Sequence, residues 1–273
     1  MNFKTAHFVI LLSFFVRTIF NKPEEHETGM MLCILFYYAM HTTFFPSIDE
    51  LYESDKHMAI SRLNNIVFIH IPKTAGSFIT HTDLFYDTRK HHMIGGHYTY
   101  NDIFYNKHKR NMKSITSFCT IRDPCERFVS AYTYLTTGLG NEKDTIWANT
   151  TLVNKTASEY ANELLLMGFE NTWTHFLPQF KFISSKNKIM VDLIMTANDL
   201  SSGMKLLEKL RPDIKSILRR IKIHKRINTS QNKGCHSLTK TAQGIIRKIY
   251  SKDYSILGPL THNFTVPYLR GAN

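Results

Sequence analysis

The sequence predicts an α/β domain in which a central parallel sheet is covered by helices on both faces. Residues 66–71 form a short, nearly continuous apolar run rich in β-branched residues, which is typical of a strand buried on both sides, and residues 115–121 form a second run that predicts a buried strand. Each run leads directly into a turn and then an amphipathic stretch. Because strands alternate with helices in this way, the pattern favours parallel strands joined by helical crossovers.

The remaining elements continue this alternation along the chain. Helices are predicted at 78–86 and 125–135, and a polar stretch at 136–153 is expected to be loose. Thr156 and Glu159 have the spacing of a capping box, which predicts a helix that ends near residue 167. The other predicted elements are a third strand at 189–195 and helices at 200–210, 214–221 and 239–250.

Composition and charge limit the class of protein. A chain of 273 residues can hold one α/β domain and an N-terminal appendage. Its formal net charge of +12 favours anionic partners such as a nucleotide or an acidic polysaccharide, although a basic surface can also serve solubility alone. The four cysteines form no CxxC pair and no metal-like spacing with histidine, so no zinc site is expected. Cys125 and Cys235 could pair in an oxidising compartment.

The N-terminal region differs from the rest of the chain. Two apolar runs, at 6–16 and 30–45, flank an acidic stretch at 24–27. Each run is shorter than the ~20 residues of a spanning helix. No small-residue cleavage site follows the first run, which favours a retained signal anchor over a removed leader. We therefore expect a hydrophobic anchor and short stem at 1–64, and a folded domain at 65–273.

Four N-x-S/T sequons follow this region, at Asn149, Asn154, Asn228 and Asn263. Each sequon is weak on its own, but together they predict that the domain faces a lumen. With one spanning anchor, the chain would then be a single-pass type II membrane protein. The alternative is a soluble cytosolic protein with a hydrophobic N-terminal helix.

The turn after the first strand has the chemistry of an anion site. It connects the strand to a helix through the sequence Pro72-Lys73-Thr74-Ala75-Gly76-Ser77. The start of a helix offers unpaired N–H groups and the positive end of the dipole. Gly76 lets the backbone approach an anion, and Lys73 adds a positive charge. The hydroxyls of Thr74 and Ser77 add donors. The Walker A pattern is absent, which argues against a P-loop kinase or other NTPase.

The turn after the second strand also places cations at the carboxyl end of a strand. Arg122 lies where open α/β sheets bind their ligands. The helix that follows carries Arg127, Ser130 and Tyr134 on one face. Guanidinium groups hold phosphates with two hydrogen bonds, and a serine hydroxyl adds a third donor. Two anion sites on consecutive strands predict a ligand with phosphates at both ends.

The two turns together resemble motifs of the membrane-bound, Golgi-type carbohydrate sulfotransferases, the group that includes the uronyl and heparan sulfate 2-O-sulfotransferases. HIPKTAGS at 70–77 resembles their 5′-phosphosulfate loop, and IRDPCERFVSAY at 121–132 resembles their 3′-phosphate motif, R-x-P-x-x-R-x-x-S-x-Y. Thinner resemblance continues at Pro178-Gln179, Val191-Asp192, Asn228-Thr229-Ser230 and Asp253-Tyr254. The resemblance implies a P-loop-like three-layer fold and a Golgi lumenal enzyme. It also implies 3′-phosphoadenosine 5′-phosphosulfate (PAPS) as sulfuryl donor and a glycan as acceptor.

The resemblance further implies roles for individual residues. The residues expected at the 5′-phosphosulfate are Lys73, Thr74, Ala75, Gly76 and Ser77. Those expected at the 3′-phosphate are Arg122, Ser130 and Arg127. Lys73 would also neutralise the departing 3′,5′-diphosphate. Arg127 could instead be a structural residue, paired with Asp123 or Glu126.

A histidine between the two turns is the candidate base. Sulfuryl transfer to an alcohol needs an aligned hydroxyl, a proton acceptor and neutralisation of the leaving charge. His97 follows Gly95 and Gly96, several relatives have a Gly-His at a similar place, and imidazole titrates near neutral pH. His91 and His92 are competitors for this role. No carboxylate cluster suggests a metal, and none is expected.

Some functional questions stay open. A non-catalytic nucleotide- or glycan-binding protein could retain the same fold, but Lys73 and Arg122 are both present, which favours an enzyme. The basic stretch at 215–226 either binds an acidic polysaccharide or is a solvated helix face. The aromatic residues near it are too few to suggest nucleic-acid binding. The acceptor sugar has no readable code in the sequence.

Overall fold

A five-stranded sheet lies at the centre of the described part of the chain. The computed structural model describes residues 59–61, 63–86, 96–106, 115–170, 172–221 and 234–271. The strands of the sheet, in spatial order, are β1 (Ala59–Ser61), β2 (Ile66–Ile69), β3 (Thr116–Ile121), β6 (Leu193–Thr196) and β7 (Tyr268–Leu269). Strands β2, β3 and β6 pair in parallel, whereas the edge strands β1 and β7 run antiparallel. A separate hairpin is formed by β4 (Ser184–Ser185) and β5 (Lys188–Ile189).

Helices surround this sheet. In chain order they are α1 (Gly76–Thr80), α2 (Pro124–Thr136), α3 (Glu142–Thr151), α4 (Ala157–Met167), α5 (Gln179–Ile183), α6 (Leu200–Leu210), α7 (Lys215–Leu218), α8 (Lys240–Ile249) and α9 (Gly258–Leu260). None of the helices in the described ranges is long and apolar enough to cross a membrane. Both apolar runs of the predicted N-terminal anchor lie outside those ranges.

Strand residues alternate between two apolar cores, one on each face of the sheet. On one face, Phe68 packs in the same cluster as Leu207 of α6. On the other face, Ile69 packs in the same cluster as Phe180 of α5. Burial on both faces explains why apolar residues occupy consecutive positions of β2. The polar residues Ser117 and Thr120 of β3 are buried as well, and their hydroxyls are hydrogen-bonded. The predicted three-layer α/β architecture is confirmed.

Most of the longer predicted elements are confirmed. The strands predicted at 66–71 and 115–121 correspond to β2 and β3, and the helices predicted at 200–210 and 239–250 correspond to α6 and α8. The capping box that begins α4 forms in both directions. The Glu159 amide donates to Thr156 Oγ1 at 3.3 Å, and the Thr156 amide donates to Glu159 Oε2 at 2.6 Å.

Three predictions of local structure are wrong in part. The stretch at 136–153 is not loose throughout, because α3 occupies its second half. The predicted third strand divides into β5 and β6, since the carboxylate of the intervening Asp192 accepts hydrogen bonds from the amide and hydroxyl of Ser117. The helices predicted at 78–86 and 214–221 shorten to α1 and α7, each flanked by a 3₁₀ turn.

Candidate functional site

The loop between β2 and α1, where the first anion site is predicted, has an unusual backbone conformation. Lys73 and Ala75 have φ values of 65° and 69°, in the left-handed region, with Thr74 between them at negative φ. Alternation of this kind turns successive N–H groups toward one side and forms a concave anion site. Helix α1 has only five residues, so the site depends on the loop amides and on Lys73 rather than on a long helix. Two non-glycine residues in this conformation cost about 1–2 kcal/mol each.

Gly76 is fixed in this loop by lack of space. A Cβ atom at this position would lie 2.0 Å from Cδ2 of the His70 ring. The close approach of His70 therefore excludes any larger residue at position 76 without a rearrangement. The expectation that Gly76 lets the backbone come near a ligand is consistent with this geometry.

The hydroxyl of Thr74 has a structural role. It lies 2.9 Å from the carbonyl oxygen of Ile71 and 2.9 Å from Oγ1 of Thr120 in β3. Thr74 is fully buried, whereas Ala75 and Ser77 are exposed. The hydroxyl thus ties the loop to the neighbouring strand, and only the backbone of Thr74 is left to meet a ligand.

Lys73 lies over an aromatic ring. Its Nζ is 3.8 Å from the centroid of Tyr134, which α2 provides. Burial, together with the positive charge of Arg122, lowers the pKa of Lys73 to about 8, and the carboxylate of Asp144 opposes this effect. The electrostatic coupling of Lys73 and Arg122 indicates that the two predicted anion turns lie close together, as parallel strands with a common carboxyl edge require.

Arg122 is held at the end of β3 by its backbone. Its amide donates to Gln179 Oε1 at 2.9 Å, and its carbonyl oxygen accepts from Gln179 Nε2 at 2.8 Å. Gln179 is itself fixed, because its backbone amide donates to the buried carboxylate of Asp253 at 2.9 Å. Two of the segments with thinner family resemblance, at 178–179 and 253–254, therefore support Arg122 rather than contact a ligand. Ser130 lies two turns along α2 and is partly exposed.

Glu126 links Arg122 to a distant part of the chain. Its Oε2 accepts from Arg122 Nη2 at 3.3 Å, and its Oε1 accepts from the Cys235 amide at 2.9 Å. Cys235 is also bonded to Cys125 by a disulfide, the pairing that the sequence left open. A Cβ atom on Gly234 would lie only 2.9 Å from Oε1 of Glu126. The turn that bears Arg122 is thus tied to residues 234–235 by a hydrogen bond and a covalent bond.

Arg127 does not face the predicted nucleotide site. Its side chain is fully buried, and its guanidinium donates to the carbonyl oxygens of His175 at 2.9 Å and Leu177 at 2.5 Å. Neither predicted ion pair forms, because Asp123 caps α2 and Glu126 binds Arg122. The assignment of Arg127 to the 3′-phosphate is therefore corrected, since every turn of this guanidinium toward a ligand would break buried hydrogen bonds. Arg127 is a structural residue.

His97 reaches the start of the phosphosulfate-type loop. Its Nδ1 lies 3.0 Å from the carbonyl oxygen of His70. Because a carbonyl oxygen can only accept, Nδ1 carries the hydrogen and Nε2 keeps its lone pair. Burial lowers the pKa of His97 below its usual value, so the ring is neutral at physiological pH. The competing candidates His91 and His92 lie outside the described residues.

Two further histidines surround His97. The ring centroids of His70 and His175 lie 4.5 Å and 5.2 Å from that of His97, both edge-on. Burial places the pKa of His70 well below its usual value and lowers that of His175 to about 2, so both rings are neutral. His97 therefore sits among uncharged imidazoles, close to the ammonium of Lys73.

Sequence reasoning missed part of this cluster. Asp144, Trp173 and His175 meet Tyr134 beside Lys73 and His97, but they come from two segments that share no motif with the predicted turns. One local signal was present. Asn141 precedes Asp144 by three residues, which is the spacing of a capping box, and this box starts α3. That signal predicts the helix, though not the proximity of Asp144 to Lys73.

The described part of the basic stretch is largely exposed and paired. Lys215 and Arg219 both reach Glu208 Oε1, at 3.0 Å and 3.3 Å, and Arg220 lies 3.9 Å from Asp83. Such pairs are typical of a solvated helix face. The remaining basic residues of the stretch lie outside the described residues.

Comparison with known proteins gives one match. A model of a family described as the sulfotransferase family matches residues 56–258, which include both anion turns, His97 and Asp144. Searches of curated proteins and of solved structures returned no match.

Proposed function

This chain belongs to the sulfotransferase family, and from that premise we propose that it transfers a sulfuryl group from PAPS to a hydroxyl group of a carbohydrate. The observation that carries the proposal is the arrangement of two motif turns at the carboxyl ends of the adjacent parallel strands β2 and β3. His97 is bound to the first of these turns. One edge of the sheet thus combines two anion sites and a neutral imidazole.

The residues present fit the two ends of PAPS. The loop at 73–77 offers a concave backbone and the Lys73 ammonium for the 5′-phosphosulfate. Arg122 and Ser130 offer a guanidinium and a hydroxyl for the 3′-phosphate. Gln179 holds the backbone of Arg122, and Glu126 holds its guanidinium group. Within the loop, Thr74 and Gly76 contribute through their backbone, and Lys73 and Ser77 through their side chains as well.

His97 would act as the base. In the transfer reaction, the acceptor oxygen forms a bond to sulfur while the bond between sulfur and the bridging phosphate oxygen breaks. The acceptor hydroxyl must lose its proton in the process, and Nε2 of His97 has the lone pair to accept it. Since burial keeps the ring neutral, no proton has to leave His97 before it can act.

Lys73 would neutralise the charge that develops on the leaving phosphate oxygen. A positive group that is already in place where charge develops stabilises a transition state more than a ground state. The amine lies over the face of the Tyr134 ring, which restrains it, and none of the ion pairs between described residues involves Lys73. These roles of Lys73 and His97 also separate an enzyme from a protein that only binds the nucleotide. Binding alone requires neither Lys73 at the bridging oxygen nor a neutral His97.

We further propose a lumenal location, in the Golgi, behind an N-terminal anchor. The Cys125–Cys235 disulfide supports an oxidising compartment. The sequons at Asn154 and Asn263 support the same location, because both asparagines are exposed. The proposed acceptor is a glycan. The described basic residues of the 215–226 stretch already pair with carboxylates, so they give no argument for an acidic glycan over a neutral one.

The decisive experiment is sulfate transfer by the purified lumenal domain from ³⁵S-labelled PAPS to a panel of desulfated glycans. The proposal expects label in at least one glycan, and expects no transfer of phosphate from labelled ATP to the same panel. Tight binding of 3′,5′-diphosphoadenosine without transfer to any glycan, protein or simple alcohol would favour the non-catalytic alternative. Transfer to a non-carbohydrate alcohol alone would retain the sulfotransferase and remove the glycan.

A further inference from the structure

A buried carboxylate lies beside the proposed catalytic groups without belonging to either motif. Asp144, the third residue of α3, is only 3% exposed. Its Oδ1 accepts from Trp173 Nε1 at 2.6 Å and lies 3.6 Å from Nδ1 of His175. Its Oδ2 accepts from the Asn141 amide at 3.2 Å and from the Tyr134 hydroxyl at 3.4 Å. A buried carboxylate is costly unless nearby groups compensate its charge.

Tyr134 connects this carboxylate to Lys73. The hydroxyl of Tyr134 points to Asp144, while the face of its ring lies 3.8 Å from Nζ of Lys73. The same ring stacks on His175, with centroids 5.3 Å apart. An ammonium over an aromatic face is favoured electrostatically, and more so when it is shielded from water. Lys73 is therefore seated on a ring whose far end is anchored by Asp144.

The charges that face Lys73 and His97 are mostly positive. Lys73 is faced by the guanidinium of Arg122, and His97 by the cations Lys73 and Arg127. Asp144 is the carboxylate that acts on both groups, and it opposes these cations in each case. His175, which stands between Asp144 and His97, adds no charge because burial lowers its pKa to about 2.

We propose that Asp144 is a positioning residue of the transfer reaction, which supplies the buried negative charge that holds the Lys73 ammonium over the Tyr134 ring, next to His97. The proposal rests on the proposed function, in which Lys73 and His97 act on leaving group and acceptor. The titratable and charged groups around these two side chains are His70, Arg122, Arg127, Tyr134, Asp144 and His175.

The negative charge of Asp144 should shift the pKa values of Lys73 and His97 in the same direction. A nearby negative charge favours the protonated form of both an amine and an imidazole. Its removal should therefore lower the pKa of Lys73 and that of His97 together. The whole pH range in which Lys73 is charged and His97 is neutral would move to lower pH. Loss of a structural hydrogen bond alone would lower stability but would not move both limits in the same direction.

The variant that removes the charge and keeps the shape is Asp144→Asn. Its single oxygen can still accept from the backbone amide of Asn141 and so retain the cap of α3, whereas its NH2 group cannot accept from Trp173 Nε1. The direction of the pH shift, rather than a loss of stability, is therefore the readout. A matched control is Glu159→Gln, which removes a carboxylate from the same capping-box position of α4, at an exposed site. Asp144→Ser, a smaller neutral residue that can also accept this bond, provides the same test if Asp144→Asn does not fold.

The first measurement needs no sulfuryl donor or acceptor. Each protein is pulse-labelled with acetic anhydride at a series of pH values from about 6 to 10, where lysine amines lose their protons, and acetylation of Lys73 is followed by mass spectrometry. We expect the midpoint for Lys73 to move to lower pH in Asp144→Asn. The midpoint for Lys73 should stay at its wild-type position in Glu159→Gln.

The second measurement is the pH profile of kcat/KM for PAPS. Both limbs of the profile should move to lower pH in Asp144→Asn and stay in place in Glu159→Gln. An unchanged labelling midpoint in a folded Asp144 variant, or an equal shift in Glu159→Gln, overturns the proposal. A shifted midpoint in a protein without transfer activity on any acceptor supports the role of Asp144 while removing the proposed function, so the two failures are distinguishable.

Discussion

Nδ1 of His97 donates a hydrogen bond to the backbone carbonyl oxygen of His70, at 3.0 Å. His70 directly follows strand β2, and Lys73 lies three residues further along the same loop. The candidate base His97 is therefore hydrogen-bonded to the same short segment that carries Lys73. A shift of the loop backbone would therefore move both residues.

The first prediction concerns His97. His97→Ala should lower kcat for sulfate transfer by about 10²- to 10⁴-fold, because it removes the proton acceptor of the acceptor hydroxyl. The affinity for 3′,5′-diphosphoadenosine, measured by calorimetry, should stay near that of the wild type, since the base faces the acceptor.

The control for this variant is His262→Asn. His262 is exposed, and asparagine tolerates its positive φ of 45°. This change should leave kcat unaltered. Full activity of His97→Ala would exclude the histidine mechanism as assigned and direct attention to His91 and His92.

The second prediction is a bell-shaped pH profile of kcat/KM. On the acid side, the rate should fall as His97 gains a proton, at a pH below its usual pKa of about 6.5, because burial lowers the pKa of His97. On the alkaline side, the rate should fall as pH rises through about 8, where Lys73 loses its charge.

Lys73→Arg tests the alkaline limb, because a guanidinium stays charged throughout this range. Its residual activity should show the acid limb without the alkaline one. An alkaline limb that persists at the same pH in Lys73→Arg would assign it to another group.

The third prediction concerns recognition of the 3′-phosphate. Arg122→Ala should weaken binding of PAPS and of 3′,5′-diphosphoadenosine by about 10- to 100-fold, the usual loss of hydrogen bonds to a charged group. Ser130→Ala should act in the same direction with a smaller loss. Adenosine 5′-phosphosulfate, which lacks the 3′-phosphate, should bind all three proteins alike in a competition assay. Equal losses for both nucleotides would show that Arg122 and Ser130 do not contact the 3′ end.

The fourth prediction separates Arg127 from Arg122. Arg127→Met leaves the carbonyl oxygens of His175 and Leu177 without their buried donor. The free energy of unfolding in urea should fall by about 2–5 kcal/mol. Selectivity between the 3′-phosphorylated and unphosphorylated nucleotides should not change. A stable Arg127→Met protein that loses this selectivity would return Arg127 to the nucleotide site.

The fifth prediction concerns glycosylation. Asn154 and Asn263 are exposed at turns with φ near 58°, whereas Asn149 lies within α3. The chain expressed in eukaryotic cells should carry glycans at the two turns, seen as a mobility shift after endoglycosidase treatment. Asn154→Asp and Asn263→Asp should each remove part of the shift. Digestion of the domain by protease added to sealed microsomes would place it in the cytosol instead.

Several parts of this fold can be predicted from sequence because one physical signal dominates them. Strand β2 is buried on both faces, so its four residues are all apolar and the run is visible. Strand β3 is buried likewise, and its apolar residues also pack on both faces of the sheet. Helix α4 begins with a capping box and keeps an apolar face. The edge strands β1 and β7 have three and two residues, which is too short for any periodicity.

The candidate site shows the same division. The loop at 73–77 and Arg122 follow strands, and strand ends in a parallel sheet meet at one edge, so their proximity could be predicted. Arg127 shares its helix with Ser130, yet a sequence cannot show that its guanidinium turns inward to two carbonyl oxygens. Asp144 reaches Lys73 only through the packing of α3 on α2, which no local pattern encodes.

The contact between Gly76 and the His70 ring limits how this chain can change over generations. A Cβ atom on residue 76 would lie 2.0 Å from that ring, so the effect of a mutation at one position depends on the residue at the other. Alanine at position 76 requires either a smaller side chain at position 70 or a movement of the His70 ring. Because that ring packs edge-on against His97, either change alters the surroundings of the candidate base. Selection on activity would therefore hold the pair together.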